Sequence, residues 1–279
     1  MIVTKVIHNM DTLVKIKKLL KKILPTRIFA GLHNFARNWV RPLIDKKAAV
    51  EIAYLKKFVA RYGLIVTSGP FEGMKYVQRA NGSVLLLKLV GCYEFVLHTF
   101  LNNDKSTSYD TIIDIGCAEG YYLIGLSLHH PEAKLIGYDT EPDALELLQE
   151  LAKTNNIKNQ LALFIKCEPK LLETQITQNT LLICDAEGFE HEILNPQNTK
   201  SLKDVQTIIV ETHDHIISNT TQELITRFSD THTAEELQYS KADKTNYPFL
   251  SEITKEADLD LLLDEREIEN QTVLILSRK

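Results

Sequence analysis

The sequence predicts an α/β fold: an open, mostly parallel sheet with helices on both faces. Two observations carry that expectation. Short apolar runs recur at Thr111 to Asp114, Ala133 to Tyr138, Leu161 to Lys166, Thr180 to Cys184 and from Thr207 onward, each exiting into polar or acidic residues. Between them lie segments of helical spacing, as in Leu145, Leu148, Leu151 and Ala152 after Pro142. Ligands of open parallel sheets bind outside the carboxyl ends of the strands, so Asp114, Asp139, Asp185 and His213 are expected to converge on one rim. Two further strands are expected near Thr233 to Tyr239 and at Thr272 to Ser277.

The turn after the first strand, Asp114-Ile-Gly116-Cys117-Ala-Glu119-Gly120, decides the kind of ligand. A dinucleotide fingerprint wants glycine at its first, third and sixth positions, but Ala118 and Tyr121 fill the last two here. A nicotinamide-dependent oxidoreductase is therefore disfavoured. Asp-x-Gly-x-x-x-Gly instead brings the backbone of Gly116 and Gly120 close to an amino-acid-like group, with Asp114 placed to hold its amine. S-adenosylmethionine carries that group. Asp139, at the second strand tip, has the placement to accept two hydrogen bonds from ribose hydroxyls. The same carboxylate would also complement the dipole of the helix that follows, with no ligand at all.

Three segments together, Ile-Asp-Ile-Gly-Cys-Ala-Glu-Gly-Tyr-Tyr at 113–122, Asp-Ala-Glu-Gly-Phe-Glu at 185–190 and Ile-Val-Glu-Thr-His at 209–213, resemble the FkbM-type class I methyltransferases. Gly69-Pro70-Phe71-Glu72-Gly73-Met74 and Lys88-Leu89-Val90-Gly91-Cys92-Tyr93-Glu94 are similar to a subgroup with an N-terminal extension. The chain departs from the family pattern at Ala118-Glu119 and at Asp139, where members commonly carry a small polar pair and a Glu. The resemblance implies a seven-stranded Rossmann-like sheet and S-adenosylmethionine-dependent O-methylation of a sugar or natural-product hydroxyl. It also implies a cofactor site drawn from Glu94, Asp114, Gly116, Cys117, Glu119, Gly120, Asp139, Thr140, Cys167 and Asp185. A binding protein that keeps this fold without activity is the other alternative, disfavoured because the acids and glycines of the site are all present.

The sulfonium is already an activated methyl donor, so the protein has only to align an acceptor and take its proton. Asp185 and His213 are the expected catalytic pair, with Glu211 and His215 as further base candidates. Asp185, Glu211 and His213 also offer oxygen and nitrogen ligands, but no ligand-spacing motif stands behind a divalent metal, which is not favoured.

Three regions are expected: a basic helical extension at 1–62, a cap hairpin and helix at 63–108, and the methyltransferase domain at 109–279. The cap would pair Leu64–Thr67 with Lys75–Val77 and place a helix at Leu89–Leu101. Residues 1–47 carry eleven Lys or Arg against Asp11 and Asp45, a net of +9, so the rest of the chain holds −14 of the overall −5. Leu13, Ile16, Leu19, Leu20, Ile23 and Leu24 share one helical face with lysines around it. That pattern suits peripheral contact with an anionic membrane, or packing on the domain or on a second subunit of a homo-oligomer. The acidic remainder argues against a nucleic-acid substrate, and a small-molecule or glycan acceptor is what the resemblance implies. No apolar run is expected to span a membrane. Cys92, Cys117, Cys167 and Cys184 lack Cys-x-x-Cys spacing, which suits reduced thiols in a cytoplasmic protein, at the inner face of the membrane if the basic helix binds there. The polar stretch Ser240 to Glu256 is long enough to cover a substrate.

Overall fold

A computed structural model describes residues 46–81, 83–264 and 272–279. The basic amphipathic helix expected through Leu13 to Leu24, and with it the membrane and subunit expectations, lies outside the described residues. The chain divides between Tyr54 and Leu55, and Leu55–Lys279 is the second of its two units. The second unit carries the sheet.

Seven strands form that sheet in the order β3-β2-β1-β4-β5-β7-β6. They are β1 Thr111–Ile115, β2 Lys134–Tyr138, β3 Leu161–Phe164, β4 Thr180–Cys184, β5 Thr207–Thr212, β6 His232–Gln238 and β7 Thr272–Arg278. β1 to β5 are parallel, and β7 runs antiparallel between β5 and β6. This is the class I methyltransferase arrangement that the sequence predicts. Every residue of β1, β4 and β5 is buried, as a parallel sheet covered on both faces requires. β6, at the edge, is largely exposed and charged, with Glu235 and Glu236 blunting the edge against pairing with another chain. The core joins both sides of β1, through Ile113, Ile136, Leu182, Ile208 and Leu274, with Leu224 and Phe228 of the helix Thr220–Phe228 packed on it.

The order of strands places the tips of β1, β2 and β4 side by side, which positions the site. Asp114 pairs in register with Gly137 and with Ile183. Gly116 then comes so near β4 that a Cβ there would stand 1.8 Å from the Asp185 carbonyl oxygen, and its φ of +84° is one that L side chains rarely adopt. Only glycine fits both demands.

The cap differs from expectation in one respect. Leu64 to Val77 makes the expected close approach, with a bridge between Ile65 and Lys75, but the helix expected at Leu89–Leu101 is broken. It is replaced by Leu85–Val90, a single 3₁₀ turn at Phe95–Leu97, and His98–Asn103. Gly91 makes the break by ending the first helix in the left-handed conformation, φ +84°, and glycine is required there because a Cβ would lie 1.8 Å from the Ser68 carbonyl oxygen. By length and hydropathy alone Leu85–Ser106 is a candidate membrane span, contrary to the expectation, yet two-thirds of its apolar window is buried in the fold. The stretch Ser240 to Glu256 folds into short helical pieces, with Phe249 against Phe58 and Tyr62, and contributes no residue to the cleft described below.

Lys88 pins the cap to the glycine turn. It is the one polar residue in the buried run Leu-Leu-Leu-Lys-Leu-Val, and its Nζ lies 2.5 Å from Glu119 Oε1 with both side chains buried. Tyr76 Oη donates to the same carboxylate at 2.6 Å and the Asn81 N–H at 2.9 Å, while the Lys88 ammonium sits over the rings of Tyr93 and Tyr121 at 4.8 and 5.3 Å. Burial alone would raise the Glu119 pKa, but the lysine and these donors outweigh it and hold the carboxyl below its usual value. Removing one partner strands the other charge. Lys88→Met is expected to cost about 3–5 kcal/mol in denaturant unfolding, and Lys88→Met with Glu119→Gln to recover part of that loss. Equal stability of the parent and the single variant would contradict the pairing.

Candidate active site

A cleft of about 1480 Å³ opens at the carboxyl ends of β1 to β5. It is lined by Glu94, Asp114, Gly116, Cys117, Asp139, Thr140, Cys167, Asp185 and Glu211 of the sequence-predicted residues. Glu119, Gly120 and His213 do not line it. Glu119 is spent on the Lys88 clamp. Gly120 starts the helix Tyr121–Ser127 with φ +91°, and a Cβ there would meet Leu148 at 2.6 Å, so its role is to let two helices pack. His213 is 2% exposed and lies behind the acids of the rim.

Asp139 is fixed by its own backbone surroundings. Its Oδ2 accepts from the Ala118 N–H and its Oδ1 from the Glu141 N–H, both at 2.8 Å, which locks the carboxylate between the glycine turn and the next helix. Each oxygen keeps a further lone pair. Asp114, 3% exposed, has its carboxyl pushed up to about 7, first by burial and then by the charge of Asp139. A cationic group in the cleft would reverse that shift.

At the β4 and β5 exits a second cluster forms. The Ala186 and Gly188 N–H groups, both at 3.0 Å, and His213 Nδ1 at 2.7 Å converge on Glu190 Oε1. Glu190 is fully buried. The Asp-Ala-Glu-Gly-Phe-Glu segment thus folds so that its last acid holds the histidine; only the motif itself signalled Glu190, and sequence reasoning gave it no role. His213 Nε2 faces Asp185 Oδ1 at 3.6 Å, Glu187 Oε2 at 3.7 Å and Glu211 Oε1 at 3.9 Å. Burial alone would lower the His213 pKa, but the Glu190 bond and charge, followed by Asp185 and Glu211, carry it to about 9. Without another cation in the cluster the ring is an imidazolium, which cannot accept a proton near neutrality. Asp185 moves up from the usual carboxylate range through burial and then the charge of Glu211, with His213 opposing.

Three non-glycine residues of the cleft have positive φ: Glu94 at 46°, Ala118 at 45° and Glu187 at 50°. Such strain persists only where surrounding structure imposes it, and it gathers at ligand sites. Glu94 is further tied down by the Tyr122 hydroxyl, which donates to it.

A profile described as a methyltransferase domain matches residues 106–262, more than half of the chain. The chain belongs to this methyltransferase-domain family. Among solved structures it is similar to an rRNA methylase from Streptococcus thermophilus, at 13% identity over 65% of this chain and 95% of that one, with a TM-score of 0.46. It is also similar to the O-methyltransferase TomG from Streptomyces achromogenes, in complex with S-adenosylmethionine, at 15% identity over 73% and 84%, with a TM-score of 0.43. A precorrin-6y C5,15-methyltransferase from Geobacter metallireducens matches at 12% identity over 73% and 94%, with a TM-score of 0.44. These likenesses are distant and say nothing of the acceptor. No curated protein matches the sequence.

The residues present fit the family's cofactor, S-adenosylmethionine. Gly116, Asp114 and Asp139 line the cleft together, and each Asp139 oxygen keeps a lone pair beyond the backbone N–H that it accepts from. This assignment carries a pH dependence. An ammonium binds the Asp114 carboxylate, not its acid form, so binding should strengthen as pH rises through about 7. Calorimetry with S-adenosylhomocysteine is expected to show affinity rising roughly tenfold from pH 6 to pH 8, as the ionised fraction climbs from about a tenth to about nine-tenths. Asp114→Asn should flatten the profile. A parent affinity independent of pH would contradict the contact.

Proposed function

We propose that the protein is an S-adenosylmethionine-dependent O-methyltransferase of the FkbM type, acting on a hydroxyl of a sugar or other small natural product. One observation carries the cofactor half of this reading: Asp114, Gly116 and Asp139 line a single cleft at the tips of β1 and β2, with the Asp139 carboxylate already oriented by two backbone N–H groups. When bound, the cofactor supplies an activated methyl group. Asp139 would take the ribose hydroxyls, Asp114 the amine, and the Gly116 backbone the amino-acid end.

The acceptor half rests on the β4 and β5 exits. Asp185 stands at the cleft beside the glycine turn and is the group placed to orient an acceptor hydroxyl. Its proton leaves toward the carboxylates of this rim as the acceptor oxygen attacks the methyl carbon and the carbon–sulfur electron pair stays on sulfur. His213, buried and bonded to Glu190, positions Asp185 by charge and does not itself reach the cleft. That changes the role expected from the sequence, where His213 was a base. The exposed Phe189 at the mouth offers a ring face on which a sugar could rest.

Parallel titration of the purified protein with S-adenosylhomocysteine, NAD and NADP separates this reading from a dehydrogenase, since only the first should bind. Asp139→Ala should weaken S-adenosylhomocysteine by about 1.5–3 kcal/mol, or roughly 10- to 150-fold, through lost charge-assisted hydrogen bonds. An unchanged affinity in that variant would refute the ribose assignment.

A further inference from the structure

The geometry points to a divalent-cation site formed by Asp185, Glu211 and His213 Nε2 at the acceptor end of the cleft. One ligand atom from each of the three residues lies within 4.8 Å of the others. Three features of the cluster, beyond the presence of acids, indicate a cation.

The first is that His213 Nε2 makes no hydrogen bond to the carboxylates it faces. A ring N–H that served only to bridge these acids would settle at about 2.7–3.0 Å from one oxygen. Instead the oxygens of Asp185, Glu187 and Glu211 stand at 3.6, 3.7 and 3.9 Å, although the ring is 98% buried and aimed at them. Two donors each about 2.1 Å from one ion are roughly 3 Å apart at a right angle and roughly 4 Å apart across it, so this spacing suits an ion between them. The second feature is that Asp185 Oδ1, the atom facing Nε2, is a buried oxygen with no hydrogen-bond partner. A buried polar atom without a partner is costly unless something fills the gap.

The third is the hold on the other side of the ring. Glu190 Oε1, fixed by two backbone N–H groups, accepts from Nδ1 and so sets the tautomer that leaves the Nε2 lone pair free toward Asp185 and Glu211. Carboxylate–histidine–metal sites are built in this way. One imidazole nitrogen and two carboxylates suit an ion of the Mn²⁺ class, with remaining positions open to the cleft.

Its consequence for chemistry rests on the O-methyltransferase reading above. An acceptor hydroxyl drawn to the same cation loses its proton more readily, and Glu187, exposed on the same rim, is the carboxylate left to take it while the methyl carbon–sulfur bond breaks and its electron pair stays on sulfur. The cation site itself can be tested without acceptor or cofactor.

Titration of the full-length protein with Mn²⁺, followed by electron paramagnetic resonance of the free ion, should reveal one saturable site per chain. His213→Gln and, more conservatively, Glu211→Gln should each weaken it at least tenfold while leaving S-adenosylhomocysteine binding within about twofold of the parent, which excludes misfolding as the cause. Absence of saturable Mn²⁺ binding in the parent, or unchanged binding in folded Glu211→Gln, overturns the site. If S-adenosylhomocysteine fails to bind the parent while Mn²⁺ binds and responds to both variants, the methyltransferase reading fails and the cation site stands.

Discussion

The approach of the Gly116 backbone to the Asp185 carbonyl is the constraint on which the cleft depends. β1 and β4 are neighbours in register, and the chain leaving β1 must pass against the chain leaving β4 before it can turn into the next helix. With a Cβ at Gly116 only 1.8 Å from that carbonyl, any side chain would push the two strand exits apart. Asp114, Asp139 and Asp185 would then no longer share a wall. The turn is therefore both the floor of the cofactor half and the hinge point that sets where the acceptor half begins.

The two halves of the cleft solve their electrostatics differently. Near the glycine turn, Asp114 and Asp139 crowd each other, and burial makes Asp114 ionise only near neutrality, so this half is prepared for a cationic ligand. Near β5, Asp185, Glu187, Glu190 and Glu211 surround one imidazole, so the positive charge that this cluster needs is either the ring's second proton or a cation held in its place. The cap's buried cation, Lys88, is paired with Glu119 and only partly offsets the effect of burial on Asp114. An acid-lined cleft with His213 held behind its rim fits a positively charged cofactor on one side and a cation on the other.

Much of this was legible in the sequence because strands in a parallel sheet announce themselves as apolar runs with polar exits. All five parallel strands lie within two residues of where the pattern puts them, and Asp114, Asp139 and Asp185 fall at strand tips as that pattern demands. Side-chain direction was less legible. Glu211 and His213, two residues apart at the end of β5, share a face by strand periodicity, but nothing in the spacing tells that Glu190, 23 residues earlier, draws His213 inward. Glu119 looked like a cofactor ligand because it sits in the glycine turn; its partner Lys88 lies 31 residues upstream, and the signal for it was a lysine inside an apolar helical run. The broken helix at Gly91 did have a local signal, a glycine ending an apolar helical run, but the close approach to Ser68 across the cap that requires glycine there is not written in the local sequence.

The central claim is that the strand-tip cleft holds S-adenosylmethionine in one orientation, and a crystal structure with S-adenosylhomocysteine tests it most directly. The account predicts ribose hydroxyls on Asp139, the amino-acid end against Gly116 and Asp114, and the sulfur directed toward Asp185. A ligand bound elsewhere, or bound with its ribose away from Asp139, would contradict it.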